Sequence, residues 1–492
     1  MGQQISGCIQ FLRGPLSALL IMLVTACSPA PIVPADAGVC FPDSLAVVPG
    51  AQPVPGVRPN PRLYFDASGS MRYFGVAKAD RRSGRFPFVE MAGTLLSLGP
   101  ELGGELNLRG FGESIQPVTE PAIQTLLEGG KGFCAECNPA KSLINVVFEE
   151  ILRDQPSVAL VVTDLWLADD TQLRHGPSVL LTPLKAILSR GDAIAVLGVD
   201  ARYTGPVFDM PPPVTTLPEA QRRRPLFVLV IGQSDLVKRA VATIQEDAFS
   251  GAQAGELHVT IYDPNVFANA AVPNFGYRLA GLDDKIVQAG TILQDQGVFI
   301  DAPQFAVNKA EGDRVRVART VTPADVPDTA GLVVGEATLN VPPSFAWEGE
   351  VEIAGEIFTN LAARSEEICL QDSWVDAEVG NMSELVRGKV TGQKLEVRFD
   401  AGAESLRPLQ PGKVQYLAFQ ATFKSLSSPN SASTWMLERS FTSAPEDVAG
   451  VSQREVFPTL NLAEFAGRLD AALSEQLAGE PIASGGFAFE VK

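Results

Sequence analysis

The chain has 492 residues, 46% of them hydrophobic and 20% charged, a balance that fits packed domains and excludes a disordered chain. That length exceeds what one ordinary core fills, so two or three domains are expected. With 39 Lys and Arg against 57 Asp and Glu, the formal net charge is −18, which repels a phosphate backbone and argues against nucleic acid as a partner. Two short basic groups, Lys78/Arg81/Arg82/Arg85 and Arg222/Arg223/Arg224, read as solvated loops.

Residues 1–26 read as an export signal. Arg13 is their one charge, and the apolar run 16–24 behind it is too short to span a bilayer. The ending Leu23-Val24-Thr25-Ala26-Cys27 resembles a bacterial lipobox. That resemblance implies cleavage before Cys27, lipidation of its thiol and stable attachment to a membrane. Ser28 in the next position favours the outer membrane over the inner one, with the body in the periplasm or at the cell surface. Residues 27–61 are rich in proline and read as an extended tether, reaching about 3.1 Å per residue. Cys40, Cys134, Cys137 and Cys369 then enter an oxidising compartment, where four cysteines permit three pairings. Cys134-Ala-Glu-Cys137 reads as a possible local disulfide, with a redox pair or half of a zinc site as alternatives.

From residue 62 to about 250 short apolar runs alternate with helical patterns, the pattern of an α/β domain with a mostly parallel sheet. Strands are expected at 62–66, 105–111, 157–164, 193–199 and 225–232. Helices are expected at 88–98, from Asn138-Pro139 to about 153, at 179–189 and at 236–244. The first strand ends in Asp66-Ala-Ser68-Gly-Ser70, and the 157–164 strand ends in Thr163-Asp164. In a parallel sheet both tips lie at the carboxyl edge, where open α/β folds bind ligands. Asp66 with hydroxyls two and four residues on offers three hard oxygen donors within one turn. Such donors suit Mg²⁺, Mn²⁺ or Ca²⁺.

Asp-x-Ser-x-Ser after one apolar strand, with Thr-Asp after a later one, resembles the metal-ion-dependent adhesion site of von Willebrand factor A (vWA) domains. The resemblance covers less than half of the chain. It implies a doubly wound, Rossmann-like fold over residues 62–250, with Asp66, Ser68 and Ser70 as ligands and Asp164 contributing directly or through water. The family adds a threonine from an intervening loop. Residues 133–142 hold none, and Asn138 at the expected helix start or Ser142 one turn in is placed to substitute. Leu165 stands where the family has glycine. The implied function is recognition of a protein partner, an acidic side chain of which completes the cation's coordination.

Enzyme signatures are missing. Asp66-Ala-Ser-Gly has its glycine one place too late for an aspartic protease and has no second copy. His175 and His258 are the only histidines, and neither lies in a triad context. The expectation is a binding protein, not an enzyme. The alternative is a structural subunit of an envelope complex using the vWA fold without metal. Residues 251–330 carry strand signals at 257–262 and 314–319 but no nameable fold. Residues 331–442 show alternating strand-like runs that suggest an antiparallel sandwich of immunoglobulin-like type. Residues 443–492 are expected to form a C-terminal helical segment, with Leu462, Phe465, Leu469, Leu473 and Leu477 at helical spacing.

Overall fold

The computed structural model describes residues 60–76, 86–166, 178–207, 210, 216–249, 257–267, 276–279, 333–339, 348–360, 374–377, 385–399, 414–426 and 433–490. The lipobox-like segment with Cys27, nearly all of the tether, Cys40, Cys369, His175, the Lys78–Arg85 basic group and the 314–319 strand signal lie outside the described residues. No described helix is long and apolar enough to cross a membrane.

The first half is a mixed α/β unit. In chain order it runs β1 (Arg62–Asp66), α1 (Arg72–Val76), α2 (Pro87–Ser97), β2 (Asn107–Phe111), β3 (Ile115–Pro117), α3 (Glu120–Leu127) and α4 (Ile144–Asp154). It continues through β4 (Val158–Thr163), α5 (Ser178–Ser189), β5 (Ala193–Val207), β6 (Leu217–Gly232), α6 (Ser234–Ala248) and β7 (Leu257–Tyr262). The strands form one seven-stranded sheet in the order β3-β2-β1-β4-β6-β5-β7. All six residues of β4 are buried, so both faces of this β-branched strand are covered. Helix α4 buries Ile144, Val147, Phe148 and Ile151, an apolar stripe at 3.6-residue spacing, and packs against α5.

The mostly parallel sheet expected from the sequence holds for three strands only. β2, β1 and β4 are mutually parallel, whereas β6 enters antiparallel between β4 and β5, and β7 is antiparallel to β5. The cause lies in the connection. A parallel return needs a crossover of a dozen or more residues, usually a helix. Here the strand begun at Ala193 continues to Val207 with every second residue buried beyond Val199, and the chain returns along it as β6. The result is a long antiparallel hairpin.

The second half contributes β8 (Gly276–Leu279), β9 (Val333–Thr338), β10 (Glu348–Asn360), β11 (Trp374–Asp376), β12 (Val386–Thr391), β13 (Lys394–Phe399) and β14 (Val414–Leu426). Then follow α7 (Thr434–Glu438), β15 (Ser440–Phe441), α8 (Pro445–Val451), β16 (Thr459–Leu460), α9 (Leu462–Leu477) and β17 (Pro481–Glu490). Where two packed sheets were expected, β8 to β14 and β17 form one antiparallel sheet in the order β17-β14-β10-β12-β13-β9-β8, with β11 on β10, while β15 and β16 pair in parallel as a separate two-stranded sheet. β12 and β13 are joined by the two-residue turn Gly392-Gln393, in which Gly392 takes the positive φ of 56° that such hairpins require.

The C-terminal segment is helical through α8 and α9 but ends as a strand. β17 pairs with β14 along Val414↔Glu490 to Thr422↔Pro481. Its Ser484-Gly485-Gly486 centre carries too little apolar alternation to announce a strand. Helix α9 meanwhile packs on α5, β7 and β14, so residues 433–490 return to both sheets. Trp435 anchors the return. Its ring lies over Phe227 at 6.1 Å and His258 at 5.3 Å, and its Nε1 donates to Thr260 Oγ1 at 3.0 Å.

Candidate metal centre

Asp66 is the centre of the site because of strand register. β1 and β4 are adjacent and parallel with Phe65 opposite Val162, so the next residues, Asp66 and Thr163, meet at the carboxyl edge. The Thr163 hydroxyl donates to Asp66 Oδ2 at 2.9 Å and itself accepts the Leu165 N–H at 3.0 Å. On the other carboxylate oxygen, Oδ1 accepts the Ser68 N–H at 2.8 Å, and the Ser68 and Ser70 hydroxyls lie 3.0 Å apart. Asp66 is fully buried while Ser68 and Ser70 are half-buried and Gly69 is exposed, so the hydroxyl side of the loop faces outward.

Between the two expected substitutes for the family's threonine, the geometry places Ser142 at the site and Asn138 away from it. Ser142 is buried, and its hydroxyl donates to Asp66 Oδ2 at 2.6 Å. Asn138 is exposed and its amide donates to Glu113 Oε2. The expected helix start at Asn138-Pro139 is also displaced, because Asn138 has a φ of 52°, whereas an N-cap residue is extended. Helix α4 starts instead at Ile144.

The intervening loop is held against the end of β2. Glu113 N donates to Asn138 O, Ser114 N to Cys137 O and Leu143 N to Gly112 O. The Cys134 and Cys137 sulfurs are bonded, and Gly110 and Gly112 make room for the loop. A Cβ on Gly112 would stand 2.6 Å from Cys137 O.

Asp164 is likewise fully buried, with Oδ1 accepting the Trp166 N–H at 3.0 Å. Its Oδ2 accepts no hydrogen bond but faces the Arg224 guanidinium at 3.2 Å. Burial first and the Asp164 charge second push the Asp66 carboxyl up to about 6, against the Ser142 and Ser68 hydrogen bonds that favour its ionised form.

Leu165, expected at a position where vWA domains carry glycine, has a φ of 49°. A left-handed conformation costs an L-residue roughly 1–2 kcal/mol, a cost that burial of the leucine side chain offsets.

Arg224 corrects the reading of 222–224 as a solvated loop. It is 1% exposed, one residue outside the apolar run of β6, and it pairs with Ala201 across the hairpin. Its guanidinium carbon lies 4.5 Å from the Tyr203 ring centre, 5.1 Å from Trp166 and 5.5 Å from Phe457. A cation packed among three aromatic rings keeps its charge while losing water. Sequence reasoning also assigned Thr163 no role of its own. Its position opposite Asp66 follows only from the register of two strands about a hundred residues apart.

Two carboxylates and the hydroxyls of Ser68, Ser70 and Ser142 thus surround one carboxyl edge. This all-oxygen set suits a hard divalent cation, and Asp164 Oδ2 is a buried acceptor without a hydrogen-bond donor. Among the described residues no three His, Cys, Asp or Glu side chains gather, so any cation here depends on serine hydroxyls. The fold and site define a mixed α/β protein with a carboxylate–hydroxyl centre at the tips of its parallel strands. The chain matches no family model, no curated protein and no solved structure.

Proposed function

We propose that the chain is a lipid-anchored envelope protein that binds a protein partner through a divalent cation held on a vWA-like domain. The observation carrying this reading is the convergence of Ser142, 76 residues away in sequence, on Asp66 at the carboxyl tips of β1 and β4. Asp66, Ser68, Ser70 and Ser142 would hold Mg²⁺, Mn²⁺ or Ca²⁺, with Asp164 contributing directly or through water. When bound, the cation supplies an open coordination position for a partner's carboxylate. The protein's residues form and break no covalent bond in this reading, so it is a binding protein and not an enzyme. Cys27 carries the lipid, and the outer membrane is the favoured site.

Calorimetric titration of the full chain in detergent with each cation tests the centre. Binding in the wild type and its loss in Asp66→Ala are expected, and absence of heat in both refutes the reading. Cys27→Ala should release the protein from membranes.

A second reading, a structural envelope subunit that uses the fold without metal, is favoured by one observation. Arg224 already neutralises Asp164. The same titration separates the two readings.

A further inference from the structure

The centre carries two buried carboxylates and one buried guanidinium. Guanidinium does not deprotonate in proteins, so its charge is permanent. A divalent ion entering beside Asp66 and Asp164 therefore meets a fixed positive charge 3.2 Å from Asp164 Oδ2, at a place where little water screens it. An arginine on the surface could swing away. Arg224 is held by what surrounds it.

Two of its three rings belong to the α/β unit. Tyr203 is on β5, its hydroxyl donating to Pro206 O at 2.7 Å, and Trp166 lies two residues after Asp164. The third, Phe457, comes from the C-terminal return. Phe457 N donates to Arg223 O at 2.8 Å, which fixes that return beside the guanidinium. Phe441 stacks on Trp166 at 6.1 Å and packs against Phe457 at 6.3 Å, and Arg454 donates to Ser440 O at 2.8 Å. The wall of the site on the Asp164 side is thus built partly from residues more than 270 positions downstream.

We propose that Arg224 is the resident cation of this centre. It competes with the divalent ion for Asp164 and so sets the affinity and selectivity of the site, and Phe457 holds it in place. The proposal rests on the cation reading of the Asp66 loop and adds a residue that weakens binding. It also gives the C-terminal return a purpose: whatever loosens Phe457 frees Asp164 to serve the divalent ion.

The test measures Mn²⁺ affinity by calorimetry on the full chain in detergent, with thermal unfolding with and without Mn²⁺ as a second readout. Arg224→Met keeps the apolar stem and removes the charge, and is expected to tighten Mn²⁺ by about tenfold or more. The same variant should melt lower than wild type without Mn²⁺ and regain more of that loss with it. Arg224→Lys keeps the charge and should stay near the wild-type affinity. Phe457→Ala leaves every charge in place and should tighten Mn²⁺ by a smaller factor.

A folded Arg224→Met that binds Mn²⁺ no tighter than wild type overturns the proposal. If that variant does not fold, unchanged or weaker binding by Phe457→Ala overturns it equally. Binding by wild type, abolished in Asp66→Ala but indifferent to Arg224 and Phe457, removes this inference and leaves the cation reading standing. No binding by wild type or any variant removes both.

Discussion

Asp470 on α9 is a carboxyl set where water reaches it poorly. Its Oδ1 is buried without a hydrogen-bond donor, its Oδ2 has only a long contact to Ser433 Oγ at 3.4 Å, and Tyr262 of β7 is close enough to feel its charge. Burial pushes this carboxyl from the ordinary 3.8 up to about 6. The sign follows from proton linkage. Between those two values the folded chain holds more protons than the unfolded one, so stability falls as pH rises from about 4 through 6. Above that window the ionised group costs up to ~3 kcal/mol, less where solvent penetrates the half-buried side chain. Asp470→Asn keeps the shape and removes the charge. Urea unfolding should therefore show the variant more stable than wild type by about 1–3 kcal/mol at pH 7.5, with the gain vanishing near pH 4. A variant less stable at pH 7.5, or a difference that does not change with pH, would refute the argument.

Two further substitutions examine the site and the C-terminal return. Ser142→Ala removes a hydrogen bond to the Asp66 carboxylate, which should cost about 1.5–3 kcal/mol where Asp66 is ionised and raise its pKa above the wild-type value. Melting curves at pH 8 and pH 5 read this out, and an equal loss at both would show that Ser142 acts only through packing. Trp435→Ala empties the contact with Phe227 and His258 and should cost about 3–5 kcal/mol in the urea midpoint. A loss under about 1 kcal/mol would mean that Trp435 does not anchor α7 to the first sheet.

The part of the site legible in the sequence was the part written locally. Asp66, Ser68 and Ser70 lie within one turn, and the burial of β1 and β4 follows from unbroken apolar runs, so their strand ends could be placed without a structure. Ser142 and Asn138 could not be separated, because the choice depends on how the 134–143 loop hydrogen-bonds to the end of β2. The β5–β6 hairpin reads as two short strands because its outer half carries Gly205, Pro206, Pro218 and the three arginines, residues that mark a polar turn. β17 escaped for the opposite reason: glycine and serine replace the alternation that marks a strand.

Arg224 shows what such readings lose. Three consecutive arginines are ordinarily a solvated face, and two of them are half-buried here. Strand alternation puts Arg222 and Arg224 on one face of the hairpin, and Arg224 is the one buried there, where Asp164 supplies the opposite charge and three rings replace water. None of those partners is near it in sequence, and Phe457 is 233 positions away. A buried ion pair of this kind costs desolvation on both sides, and removing one partner alone typically costs 3–5 kcal/mol. The asymmetry matters for the centre. Deleting Asp164 strands a guanidinium among aromatic rings, whereas deleting Arg224 strands a carboxylate that a divalent ion can satisfy. Loss of stability in Asp164→Ala should therefore resist rescue by Mn²⁺, while loss in Arg224→Met should yield to it.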